Sequence, residues 1–124
     1  LRYECANTLG KIGNAEAVPA LKPALGDADE YLRSWAAKAL GELGAGAAEA
    51  VGVLTGALSD AKAAVRLEAV EALGKIGVAA STAKATLTTM AAGDADARVR
   101  RQAAAAVKKI EEAENAAAQQ PPQP

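Results

Sequence analysis

Histidine and phenylalanine are absent from this sequence of 124 residues, and cysteine occurs once. Without histidine, the chain lacks the base that most often activates a serine or cysteine nucleophile, and it lacks the imidazole ligand of many zinc sites. A single cysteine cannot form a disulfide within the chain. These absences predict that the protein is not an enzyme and that it holds neither a metal ion nor another cofactor.

Aromatic residues are also scarce, at 2% of the chain, whereas alanine occurs 35 times. The buried apolar surface therefore has to come from Ala, Leu, Val and Ile side chains packed at close range, which is typical of tightly packed helices. The length is that of one small domain. No run of 18 apolar residues occurs, so the sequence predicts no membrane-spanning helix.

The formal net charge of -1 is typical of neither a nucleic-acid-binding protein nor a disordered chain. The charge is nevertheless uneven, because residues 1–60 carry 5 basic and 8 acidic groups while residues 61–110 carry 9 and 4. One basic cluster could bind phosphates, but a solvated terminal helix is the favoured interpretation, so no nucleic-acid partner is expected. The cluster consists of Arg98, Arg100, Arg101, Lys108 and Lys109.

A repeated motif determines the predicted architecture. Its arginines are Arg2, Arg33, Arg66 and Arg100, at spacings of 31, 33 and 34 residues. Each follows a Leu or Val and stands seven positions before another Leu or Val. The sequence LGKIG occurs at 9–13 and 73–77, and LGELG occurs at 40–44. A period of this length indicates a solenoid of two-helix units.

These residues resemble the HEAT repeat family, specifically the short HEAT-like repeats of phycobilisome lyases, over residues 1 to 112. The resemblance implies an all-α fold, an α-solenoid of antiparallel helix pairs stacked into a right-handed superhelix. It also implies that the helix carrying the Val-Arg motif is the second of each pair and lines the concave side. The motifs are specific for the fold and say little about function.

The pattern predicts inner helices at 1–12, 29–43, 62–76 and 96–114 and outer helices at 16–25, 47–58 and 80–92. Asp29 and Asp96 stand where an N-cap oxygen accepts backbone amide hydrogens. Gly13, Gly44 and Gly77 stand where a helix needs a left-handed residue after its last turn. The ends of the helices are therefore specified by local sequence.

The outer helix at 16–25 contains Pro19 and Pro23, which each remove a backbone amide, so we expect it to be kinked or partly irregular. The repeat array is predicted to span residues 1–114, about three and a half units with the first truncated. Residues 115–124 are polar and rich in proline, which predicts a disordered tail.

A rotation of 100° per residue places a core stripe on one side of each inner helix and a second face on the other. In the second unit the core stripe is Leu32, Ala36, Ala39, Leu40 and Leu43. All three aromatic residues of the chain fall on the second face, and exposed aromatics are typical of interaction surfaces. The predicted partner-binding residues are Tyr3, Tyr31, Trp35, Lys38, Leu67, Glu68, Glu71 and Arg101. Alternatively, Trp35 lies against Tyr31 and shields the helix surface.

The leading functional interpretation is a non-catalytic scaffold that binds a protein or peptide on its concave face. An alternative rests on the family resemblance alone, namely a lyase or lyase-like chaperone for bilin chromophores, although no residue supplies a nucleophile, base or metal ligand for it. In a third possibility, the segment only spaces or dimerises a larger protein.

Two structural expectations complete the sequence-based interpretation. The recurring acidic and basic residues are predicted to form a ladder along the stack, consisting of Asp27, Arg33, Asp60, Arg66, Asp94 and Arg100. The truncated first unit is expected to leave Leu1, Cys5 and Leu9 uncovered, which favours self-association. Cys5 occupies a position that is alanine in the other units, so we expect a packed small residue and not a reactive thiol.

Overall fold

The structure, a computed structural model, describes residues 18–119 apart from the side chain of Ala45. Its α-helices are α1 (Val18–Ala24), α2 (Glu30–Glu42), α3 (Val51–Ala57), α4 (Ala63–Ile76), α5 (Lys84–Gly93) and α6 (Ala97–Ala118). Two 3-10 segments, Gly44–Ala50 and Gly77–Ala83, lead into α3 and α5. Residues 18–119 contain no β-strand.

The helices are arranged in two rows, as the repeat predicts. In the inner row, α4 packs between α2 and α6, and the outer helices α1, α3 and α5 each pack against the inner helix that follows them in the chain. One continuous apolar core fills the space between the rows, and no polar or charged residue in the described part of the chain is buried. The prediction of an all-α solenoid of HEAT-like helix pairs is confirmed.

The predicted helix ends are confirmed at four positions. The Asp29 carboxylate accepts the Tyr31 amide hydrogen at 2.9 Å and so caps α2, and Asp96 caps α6 in the same way. Gly44 and Gly77 have φ angles of +57° and +78°, a left-handed conformation that glycine adopts without strain. The equivalent Gly13 lies outside the described residues.

Two further glycines allow the inner helices to approach closely. A Cβ atom at Gly41 would lie 2.8 Å from the Ala72 Cα, and one at Gly74 would lie 3.3 Å from the Ala106 Cα. The first glycine of the motif at 40–44 therefore meets the next inner helix, and the second glycine ends its own helix. A larger residue at either contact would push the inner helices apart.

Three predicted boundaries are wrong, namely the end of α6 and the starts of α3 and α5. Helix α6 ends at Ala118 and not at residue 114, so residues 115–118 are helical and do not belong to a disordered tail. The reason is that Glu111 stands where the earlier units have the helix-ending glycine, so the helix continues. The outer helices are α-helical only from Val51 and Lys84, because 3-10 turns form their first part. Residues 120–124 lie outside the described part of the chain.

The extended end of α6 is fixed to the outer row. The Glu114 carboxylate accepts a hydrogen bond from the Lys84 ammonium group at 2.6 Å and one from the Ser81 hydroxyl at 2.6 Å. Helix α1 lies within its predicted range, since it is helical from Val18 to Ala24 although it contains two prolines. The uncovered face expected at Leu1, Cys5 and Leu9 lies outside the described residues.

Candidate binding surface on the inner helices

The predicted binding residues of α2 differ in how far they are exposed. The Tyr31 side chain is 66% exposed, and Lys38 is also exposed. Trp35 is only partly buried and packs against the apolar core. Its side chain is therefore less open than an exposed interaction surface implies, although it is not fully buried.

A groove between α2 and α4 brings three of the predicted residues together. It is lined by Ser34, Trp35, Lys38 and Glu68. The Lys38 ammonium nitrogen lies 5.2 Å from the centroid of the Trp35 ring, within the range of a cation–π interaction. The groove therefore has an aromatic floor with a cation beside it, and a carboxylate on the opposite helix.

The electrostatics of the groove centre on Glu68. Burial raises the pKa of the Glu68 carboxyl above its ordinary value, and the neighbouring Glu71 raises it further, while Lys38 and Lys75 act in the opposite direction. A partly desolvated carboxylate of this kind is stabilised by a positive charge or by a hydrogen-bond donor. The groove is thus suited to a partner that supplies such a group.

The remaining predicted residues lie around this groove or apart from it. Leu67 is partly buried against the core, and Glu71 is partly buried on the same helix. Arg101 is exposed on α6 and does not line the groove. Tyr3 lies outside the described residues. Sequence reasoning left Ser34 out of the binding set, although its position on the same helical face could have indicated it.

The ladder residues connect adjacent units at the turns that precede the inner helices. The Arg33 guanidinium donates from Nε to Asp60 Oδ2 at 2.7 Å and from Nη2 to Asp60 Oδ1 at 3.2 Å. Its Nη1 donates to the backbone carbonyls of Asp27 and Ala28, at 2.8 and 3.2 Å. One arginine therefore joins the turn of its own unit to the aspartate of the next.

The next arginine repeats this arrangement one unit further on. Arg66 donates from Nε and Nη2 to the Asp94 carboxylate at 3.0 and 3.1 Å, and from Nη1 to the backbone carbonyls of Asp60 and Ala61 at 2.9 and 3.3 Å. The hydrogen bonds from Arg66 hold the pKa of Asp94 below its usual range, although burial opposes the shift. The ladder contacts thus join consecutive turns of the described residues.

The third arginine has only the backbone part of the arrangement. Arg100 donates from Nη1 to the Asp94 carbonyl at 2.6 Å. Within the described residues it forms no ion pair. Among residues 18–119, the Arg100 guanidinium is thus held through Nη1 alone.

The described residues also bear on metal binding and on membrane insertion. Residues 18–119 contain no group of three or more His, Cys, Asp or Glu side chains that could hold a metal ion. The helices among them are too short or too polar to cross a membrane.

Comparison with known proteins identifies the family of the repeats. The sequence profile of HEAT repeats matches residues 1–55 and 24–108. No curated protein matches the chain at a significant level. HEAT repeats generally mediate protein–protein interactions as scaffolds and are typically non-catalytic. The match extends over most of the chain and agrees with the stacked helix pairs, and the chain belongs to the HEAT repeat family.

Proposed function

We propose that this chain is a non-catalytic scaffold that holds a protein or peptide segment against its inner helices, with the groove between α2 and α4 as the centre of the site. The observation that carries the proposal is the placement of Trp35, which forms the floor of a groove lined also by Ser34, Lys38 and Glu68. Tryptophan is enriched among the residues that contribute most to binding, and such residues cluster in desolvated pockets near the centre of an interface.

The surroundings of Trp35 support this role. Tyr31 stands on the same helix and exposes most of its ring, so it supplies contact area at a low cost in side-chain entropy. Lys38 covers the indole ring from an exposed position and can move aside when a partner enters. Glu71 and Leu67 on α4 extend the same surface, and Arg101 on α6 lies where a longer segment would pass.

The experiment uses the fact that Trp35 is the only tryptophan in the chain. Peptides are selected from a random displayed library on the immobilised protein, and binding of the selected peptides is then followed by tryptophan fluorescence and by calorimetry. We expect the fluorescence to change on binding. The variant Trp35→Ala is expected to bind roughly 30-fold more weakly, the loss typical of an aromatic hot spot.

The matched control removes an exposed apolar side chain from the outer row. Val78 is 46% exposed on the 3-10 segment before α5, and Val78→Ala should leave the affinity unchanged. Because Trp35 is partly buried, its replacement should also cost about 1 to 2 kcal/mol of stability, so binding is compared at a temperature where both variants are folded. Selected peptides that bind Trp35→Ala as tightly as the unchanged protein would place the site elsewhere.

A further inference from the structure

Among the described residues, the last arginine of the ladder makes fewer contacts than its two equivalents: it binds one backbone carbonyl where they bind two, and it lacks their carboxylate partner. Arg33 and Arg66 each use Nη1 to bind the carbonyl of the turn in their own unit, and each uses Nε and Nη2 to bind the aspartate of the next unit. Arg100 makes the first contact, with the Asp94 carbonyl at 2.6 Å. It has no carboxylate partner in the described part of the chain. The two preceding arginines therefore show which ligand this guanidinium is arranged to bind.

The backbone contact matters because it orients the side chain. Arg100 is partly buried, and its Nη1 is bound to the turn as in the other units. The edge formed by Nε and Nη2 is thereby held ready for a planar group with two acceptor oxygens, and a carboxylate matches that geometry in both preceding units.

The surface around Arg100 selects the kind of carboxylate. On the same side of α6 lie Arg101, Ala104 and Lys108, all exposed, and the exposed Glu111 follows three residues after Lys108. Lys108 stands at the position of Gly41 and Gly74, where the earlier inner helices touch, so a further helix cannot pack here at the same distance. The positive charge of Arg101 and Lys108 favours an acidic ligand.

From these observations we infer that Arg100 is the receptor for an aspartate or glutamate side chain in an acidic, non-helical segment of a partner protein. The segment would lie across the first turns of α6 at the carboxyl-terminal end of the stack. Nε and Nη2 of Arg100 bind its carboxylate in a bidentate manner, while Arg101 and Lys108 attract its remaining charge. Arg100 does not line the groove at Trp35, and Arg101 is the one residue that this site shares with the surface of the proposed scaffold function.

The test follows the Nε–H groups of the arginines in a ¹⁵N-edited NMR spectrum of the full chain. The probe is the blocked peptide ALGDADEYL, an acidic aspartate turn with the sequence of residues 24–32. We expect the Arg100 signal to shift and to saturate as the peptide is added. The signals of Arg33 and Arg66 should stay in place, because their Nε–H groups are already bound. The same peptide with its acidic residues changed to Asn and Gln should cause no shift.

Two lysine substitutions separate a bidentate site from general attraction. Lysine keeps the charge but cannot present two parallel N–H groups, so Arg100→Lys should weaken peptide binding about tenfold. The matched variant Arg101→Lys should change it less than about twofold. An unmoved Arg100 signal in the unchanged protein, or equal losses in the two variants, would overturn the inference. So would sedimentation showing that the chain pairs with itself through Arg100, since the occupant would then be a second copy.

Discussion

Helices α4 and α6 carry the same motif but occupy different places in the stack, one inside it and one at its end. In α4 the side facing the next unit presents Val70, which is fully buried, and Gly74, which touches Ala106. At the equivalent positions α6 has Ala104 and Lys108, both exposed. The side of α4 that faces the next inner helix is thus small and buried, whereas the same side of α6 is exposed within residues 18–119 and carries a lysine in place of the glycine.

The same pair of helices also differs in how each one ends. Helix α4 stops at Gly77 in a left-handed conformation, whereas α6 has Glu111 at this position and continues to Ala118. Its additional turns bring Glu114 to Ser81 and Lys84 of the outer row. A terminal unit needs a polar outer surface, and α6 obtains it by replacing both motif glycines with charged residues.

The largest effect should come from filling a helix contact inside the stack. The variant Gly41→Val adds a Cβ atom that would lie 2.8 Å from the Ala72 Cα, too close for the two helices to keep their distance. We expect the free energy of unfolding to fall by about 3 kcal/mol. Lys108→Val makes the equivalent change on α6, where the side chain faces solvent, and should cost less than about 1 kcal/mol. Urea denaturation measures both losses. Similar values for the two variants would remove the distinction between inner and terminal helices.

A smaller effect should distinguish the complete ladder contacts from the last one. Arg66→Ala removes the hydrogen bonds to Asp94 and to the turn, and leaves a carboxylate that is only 8% exposed without its partner. We expect a loss of about 2 kcal/mol. Arg100→Ala removes a single bond to a carbonyl and should cost less than about 1 kcal/mol. Thermal unfolding of the two variants tests this, and an unchanged melting temperature for Arg66→Ala would show that the ladder adds no stability.

The smallest effect is a dependence of stability on pH. The folded state lowers the pKa of Asp94 below its reference value of 3.8, chiefly through the hydrogen bond from Arg66. The resulting stabilisation is complete above that value and is lost as the pH falls through the lower pKa of the folded state. Between pH 7 and pH 2, the melting temperatures of the unchanged protein and of Arg66→Ala should therefore converge.

Glu68 provides a control, because its pKa shift is opposite in sign to that of Asp94. Its pKa is raised in the folded state by burial and by Glu71, so protonation of Glu68 stabilises the fold as the pH falls. Glu68→Gln should raise the melting temperature at pH 7 and make the loss in acid steeper. If the melting temperatures of Glu68→Gln and Arg66→Ala fell in parallel as the pH is lowered, the carboxyl groups of Glu68 and Asp94 would not titrate as their surroundings imply.

The sequence predicted those parts of the fold that depend on neighbouring residues. Asp29 as an N-cap and Gly44 as a left-handed helix end follow from local chemistry, and the repeat period follows from spacing. The sequence also contains the signal for the continuation of α6, since Glu111 stands where the earlier units have a helix-ending glycine. The 3-10 turns before α3 and α5 were not predictable in this way, because no capping side chain marks their start.

The candidate site was harder to predict because it depends on distances between helices. A helical projection gives the direction of Trp35 but not how far α4 reaches across its ring, so it could not predict that the side chain is partly buried. The same limitation applies to Glu68, whose direction is clear from the sequence while its desolvation depends on the neighbouring helix. Ser34 is a different case, because its helical face follows from the periodicity and could have indicated its place in the groove.

The ladder has a consequence for how such an array changes length in evolution. Asp60 and Asp94 both accept from the preceding arginine through the side chain, and both bind the following arginine through the backbone carbonyl. A recombination that joins Asp60 directly to Ala95 would delete one unit and still give every remaining arginine its contacts. Duplication of the segment between the same two points would add a unit whose arginine makes the same contacts. The aspartates are thus natural junctions at which whole repeats can be gained or lost.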